Sequence, residues 1–372
     1  MTLLELQQIP GLEDSSFLGL LIFWIPFIII MLYGQRIQMW ITLGEISRSL
    51  NKLKLMKDKS RKEAIEYVST ISESKENLSG KIDQFLEYFT IQPISLDPAG
   101  IVNKLEHIIN VKDDRMKAEI KQLVSTASDV QTSNIANVIE VASALNYFYK
   151  AVRHFYLLGK KTMSYIWVVQ LQMILPTILE ESNALMKAIN AFKESQPIGD
   201  GIGAMAVGKM MIEKEKKTIA KETIMSESDY QGRQLYLIKA QGPGGNVGQP
   251  GDAIARMINE MGVKIDAIIM IDAALKLEGE KTGEIAEGVG AAIGGIGVER
   301  FKIEEVASKF KIPLYAIVIK QSIIDAISVM KKEIAETTEK VIEIIKRTIE
   351  EKTKEGDKIA VVGVGNSVGI SQ

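Results

Sequence analysis

Asp272 closes the run IDAIIMID at residues 265–272, in which Asp266 is the only other polar residue. An apolar strand that ends in a carboxylate sets that acid at the edge of a sheet, and the loop after it brings Glu278, Glu280, Glu284 and Glu287. Carboxylates held together raise one another's pKa, share a proton, or bind a hard cation. Asp272 is therefore the candidate catalytic group. Asp272, Glu278 and Glu280 are candidate ligands for a divalent metal, the cofactor such a loop would suit. A simpler arrangement competes with this one, in which the glutamates are solvated and Asp272 caps a turn.

Glycine-rich segments supply the other candidate binding groups. The stretch QGPGGNVGQPGD at residues 241–252 contains Gly244, Gly245, Gly248, Gly251 and Asp252 and leads into a helix expected at 252–261. Its backbone NH groups could meet an anion at the helix N-terminus. No Gly-Lys-Ser/Thr follows, so it is not a Walker loop, and turns that need positive φ would use the same glycines. Gly295, Gly297 and Arg300 lie in IGGIGVER at residues 293–300, and Gly363, Gly365 and Asn366 in GVGNSVGISQ at residues 363–372. All three segments fall at the C-terminal ends of predicted strands, where open α/β sheets bind their ligands.

The elements that must hold these groups are legible from periodicity. Strands are expected at residues 233–240, 265–272, 314–320 and 358–364, with one long crossover helix at 322–354 whose apolar face runs from Ile324 through Ile334 and Val341 to Ile349. That pattern predicts an α/β domain with a mainly parallel sheet over 233–372. Residues 199–232 read as a linker or hairpin, with a charged helix at 211–221. Residues 63–198 read as an all-α domain, with helices at 133–158, stopped by Gly159, and at 162–193. Gln170, Gln172 and Pro176 interrupt the apolar stretch at 165–179, which reads as a buried or membrane-facing helix.

Ahead of these, residues 17–33 carry no charge and would cover about 25 Å as a helix, the short end of what a bilayer requires. The expectation is a transmembrane helix at 17–35, an extracytoplasmic N-terminus at 1–16 and a basic juxtamembrane segment at 36–62 in contact with membrane lipid. This gives a single-pass protein of the cell membrane with its C-terminal domains in the cytoplasm. Charge is nearly balanced over the 372 residues, 45 Lys and Arg against 47 Asp and Glu, so no overall field favours nucleic acid as a partner. Cysteine is absent, which excludes disulfides, thiolate nucleophiles and thiolate zinc sites. His107 and His154 are far in sequence from the glycine segments and read as packed or solvated helix residues. Lys, Glu and Ile runs such as residues 331–352 resemble thermophile proteins.

Five short motifs in series carry a family resemblance. They are GQPG at residues 248–251, IDAAL at 271–275, IGGIGVER at 293–300, IPLYAIVI at 312–319 and IIDA at 323–326. In order and spacing they resemble the peptidase core of the spore germination protease and, more distantly, the hydrogenase maturation proteases. The resemblance implies a phosphorylase/peptidase-like α/β fold and gives Asp272 the place of one catalytic aspartate. That family's strand exit GLGN precedes these motifs, whereas GVGN at 363–366 follows them here, as in a circular permutation. Counting onward from Gly363, the second aspartate's place falls on Gln372, which leaves the second side-chain carboxylate missing. The α-carboxylate of Gln372 is one substitute. The whole layout also resembles an uncharacterised archaeal family of membrane-anchored proteins of similar length.

Three functions are compatible with these readings. One is a tethered, permuted peptidase-like domain that binds a small molecule, metal or peptide at Asp272 and the glycine loops, the missing second carboxylate weighing against hydrolysis. Another is a non-catalytic scaffold that forms a homo-oligomer. The third is a nucleotide-binding module resting on residues 241–252.

Overall fold

The computed structural model describes residues 16–72, 77–93, 100–295 and 297–371. The chain forms two compact units, one from residues up to 54 together with 148–179, the other from 55–147 and 180–372. Long helices supply the first half of the sequence: α1 (Ser16–Ile71), α2 (Leu78–Leu86), α3 (Ile101–Leu123), α4 (Asp129–Thr162) and α5 (Tyr165–Lys193).

The smaller unit is a packing of three helical segments. Met39, Leu43, Ile46 and Leu53 of α1 repeat at intervals that keep them on one face, and they bury against Val152 of α4 and Val168, Leu171 and Leu175 of α5. Gly159 does not stop α4, which continues to Thr162; a Cβ there would press on Val168, so its lack of a side chain lets α4 and α5 approach.

The expected span at 17–35 is overturned: among the described residues no helix is long and apolar enough to cross a membrane. The apolar run opens a 56-residue helix in which charges recur from Arg36 onward. Single-pass insertion, the assignment of an outside and a cytoplasmic side, and lipid contact through a span are withdrawn with it. Residues 1–15 lie outside the described residues, as do the side chains at 16–22, 26, 28–30 and 32.

The larger unit joins a helical layer to a seven-stranded sheet of order β1-β2-β3-β7-β4-β6-β5. Its strands are β1 (Lys217–Ala220), β2 (Thr223–Tyr230), β3 (Arg233–Ala240), β4 (Ala267–Leu275), β5 (Ile285–Val289), β6 (Leu314–Gln321) and β7 (Lys358–Gly363). The four predicted strands are β3, β4, β6 and β7, and they pair in parallel at the centre. The sheet is nevertheless mixed rather than mainly parallel, because the β1–β2–β3 meander and β5 add antiparallel pairs on both flanks. Residues 217–220, expected within a charged helix, form β1 instead, since pairing with β2 satisfies their backbone.

Side-chain alternation assigns the two faces of the sheet. Ala267, Ile269 and Ile271 of β4 face α6 (Ile202–Met210) and α10 (Lys332–Lys352), while Ile268 and Met270 face α7 (Pro250–Asn259) and α8 (Val298–Phe310). The crossover helix expected at 322–354 is broken into α9 (Ile323–Ile327) and α10. Between them Val329 bridges Ile198, and Met330 N donates to Pro197 O at 2.7 Å, so these residues leave the helix to tie down the chain ahead of α6. Ile345 of α10 is fully buried against the sheet, and Ile345→Ala should cost about 2–5 kcal/mol in urea unfolding of the full chain.

Candidate active site

The C-terminal ends of β4 and β7 meet the start of α6, and this junction brings two aspartates together. Asp272 stands near the end of β4 with 6% of its surface exposed. Its Oδ1 accepts from the NH of Ala273 at 2.7 Å and its Oδ2 from the NH of Gly294 at 3.1 Å. Asp200 sits in the 3-10 turn Gly199–Gly201 that leads into α6, and its Oδ2 accepts from the NH of Asn366 at 2.8 Å. Both aspartates line one cavity of about 480 Å³.

Burial, and then the charge of Asp200, push the Asp272 carboxyl up to about 7 against the pull of its two NH donors. Burial also raises the Asp200 carboxyl, with the Asn366 NH opposing. The negative charge of Asp200 thus disfavours ionisation of Asp272, which keeps its proton to near neutrality.

The turn that carries Asp200 is fixed from several sides. Gly199 N donates to Ser328 O at 3.2 Å, and Gln321 Nε2 donates to Gly199 O at 3.0 Å. Asp325, also buried, braces the same region. Burial would raise its carboxyl, but the ion pair with Lys331 at 2.7 Å and hydrogen bonds from Ser322 and Thr282 bring it below the usual range. Two glycines make the close approach feasible. Gly365 adopts φ +118° where a Cβ would overlap the Asp200 carbonyl oxygen, and at Gly203 a Cβ would strike the carbonyls of Ile271 and Val364.

The residues singled out from the sequence separate into groups. Gly248, Gly295, Gly297 and Gly365 line the cavity with Asp272. Gly363 packs on α6, and Asn366 orients Asp200. Gly245 is clamped to α4, its NH donating to Asn134 Oδ1 at 3.1 Å and its carbonyl accepting from Asn137 Nδ2 at 2.7 Å. The Ser367 hydroxyl hydrogen-bonds at the Gly244 carbonyl, at 2.8 Å. Segment 241–252 is thus tied to its neighbours along much of its length.

An anion has no vacancy at the start of α7. Glu299 Oε2 already accepts from Gly251 N at 2.6 Å, while Asp252 is paired with Lys302 at 2.5 Å. Arg300 pairs with Glu304 one turn along α8. Glu280 is engaged by Lys320 at 2.6 Å and by the NH of Leu277. Among the described residues no group of three or more His, Asp or Glu side chains could hold a metal ion, so Asp272, Glu278 and Glu280 do not form one site.

Asp200 is the residue that sequence reasoning missed. It brings a second carboxylate to the cavity from the chain ahead of β1, whereas the Gln372 carboxylate lies outside the described residues. The signal was present as an acid between two glycines, Gly199-Asp200-Gly201, at the boundary where composition changes.

Residues 20–195 match the model of an N-terminal domain described as a protein of unknown function (DUF1512), and residues 198–371 match that family's C-terminal domain. No curated protein matches the chain.

The Asp272 shift has a consequence for stability. An unfolded aspartate titrates near about 3.9, so the folded group, at about 7, binds its proton more tightly. Stability is then fully present below pH 4 and is lost as pH rises towards 7, by at most about 4 kcal/mol. Asp272→Asn abolishes that titration but sets an amide hydrogen against one NH donor. It should stabilise the chain by about 1–3 kcal/mol at pH 8 and give no gain at pH 4, read by urea unfolding at both values.

Proposed function

We propose that this chain, which belongs to the DUF1512 family, is a hydrolase in which Asp200 and Asp272 activate water against an amide or peptide bond. The observation that carries the reading is the carboxylate pair, Asp272 buried and Asp200 partly so, in a cavity large enough for a short peptide segment, with both pKa values displaced upward. Neighbouring acids with displaced pKa values in a cleft are a mark of acid–base sites. The motif resemblance to the spore germination protease core supports the same chemistry, and Asp200 supplies the second acid that such chemistry needs.

In the proposed reaction the pair begins with one proton. The ionised carboxylate takes a proton from water as the oxygen adds to the carbonyl carbon, and the protonated carboxyl gives its proton to the carbonyl oxygen. The tetrahedral gem-diol then collapses. One hydroxyl returns its proton to the pair, the carbon–nitrogen bond breaks, and the leaving nitrogen takes the other proton. Amide and water become acid and amine, and the pair is left as it began.

The test is digestion of a complex peptide mixture by the full chain, with new termini read by mass spectrometry. Cleavage should fall by about 10²–10⁴ in both Asp200→Asn and Asp272→Asn. It should also decline as pH passes about 7, where the shared proton is lost. Cleavage that persists in both variants, or that strengthens steadily to pH 9, defeats the proposal.

A further inference from the structure

Helix α1 carries apolar side chains on two opposite sides. Met39, Leu43, Ile46 and Leu53 fill the core of the smaller unit, while Phe23, Phe27, Ile37 and Ile41 stand roughly half a turn round the axis from them and are exposed. These four fall on one seven-residue repeat, on which Gly34 and Gly44 also lie. A stripe with that repeat is the seam along which helices pair.

The stripe is too large to belong to an isolated surface. Trp24, Met31, Tyr33 and Trp40 flank it, with Met31 77% and Trp40 63% exposed. Trp24 meets Phe23 and Phe27 edge to face at 5.8 and 5.5 Å, which gives one end a fixed aromatic surface of the kind that anchors interfaces. Side chains of this size offer roughly 200 Å² each, so stripe and flanks, a little over half exposed, present on the order of 900 Å². A monomeric chain seldom leaves more than about 600 Å² of apolar surface open in one patch, and a stable interface takes about 800 Å² from each partner.

Gly44 points to another helix as the covering. It is exposed within α1, its φ is not positive, and nothing lies within 4 Å of where a Cβ would stand. The single chain gains nothing from a glycine there, which weakens the helix, whereas a second backbone passing close by would need the space. Direction follows from charge. Arg48 and Lys52 continue the same face beyond the stripe, and both are exposed. A parallel pair would set each beside its own copy, while reversal separates them and places Phe23 opposite Ile41 and Phe27 opposite Ile37.

We propose that α1 pairs antiparallel with α1 of a second copy of this chain along Phe23, Phe27, Ile37 and Ile41, forming a two-fold dimer. The pairing does not depend on the reaction assigned to Asp200 and Asp272.

Sedimentation of the full chain at about 10 μM should show a dimer. Ile37→Lys combined with Ile41→Lys, both at exposed positions, should weaken it at least about 100-fold and leave the helical circular dichroism signal in place. Met173→Lys, at an exposed position of α5, should leave the dimer unchanged. The chain has no cysteine, so introduced ones report direction. Under oxidation, Phe23→Cys mixed with Ile41→Cys should link the two variants to each other, and Phe23→Cys alone should stay unlinked. A monomer or a larger assembly at that concentration, a dimer that the double substitution leaves intact or that Met173→Lys also disrupts, linkage of Phe23→Cys to itself, or uptake of the chain as a monomer by phosphatidylcholine vesicles overturns the proposal.

Discussion

Two carboxylates that repel each other are kept together at the end of a sheet, and much of the C-terminal half is arranged around that opposition. Asp272 cannot withdraw because β4 is hydrogen-bonded on both sides, to β6 and β7. Asp200 cannot withdraw because its turn is held by Ser328, Gln321 and the Asn366 NH. The raised pKa of Asp272 follows from this confinement, since backbone NH groups offset only part of the cost of burying its charge beside Asp200. A like-charge pair that solvent would separate persists where packing over-determines the backbone.

The order of strands explains how residues distant in sequence reach the same place. β7 inserts between β3 and β4, so the exit GVGN emerges directly beside the end of β4. The glycines at 203 and 365 then let α6 and its preceding turn descend onto the strand ends until Asp200 faces the cavity. On the opposite wall α3 contributes Glu106, Asn110 and Asp113, linked to the sheet side through Lys302 and Gln249. The cavity is therefore lined from both of the matched family domains, residues of 20–195 on one wall and of 198–371 on the other.

Local pattern made the central strands legible, because Ile, Val and Met runs bounded by Gly and Asp have few other solutions. The same runs also pointed to Asp272 as the acid at the strand end. What was not legible depended on contacts made at long range. β1 and β5 are short edge strands whose identity comes from the neighbour they pair with, so composition alone reads 217–220 as helix. The break between α9 and α10 has no proline or glycine to announce it, and it exists because Val329 pairs with Ile198. Asp200 escaped notice because its role depends on a fold that returns β7 to the sheet centre. Apolarity in residues 17–33 was read as a membrane span, yet the helix it opens runs on for a further 38 residues with its charges included, to Ile71.

The placement of β7 also bears on how the chain is made. A ribosome delivers it after all six other strands, although it occupies the middle of the sheet. In the folded sheet β7 alone joins β1-β2-β3 to β4-β6-β5, and without it each set would present an unpaired inner edge, on β3 and on β4. Open strand edges of this kind attract other chains, so seating the last strand also removes two places where aggregation could begin.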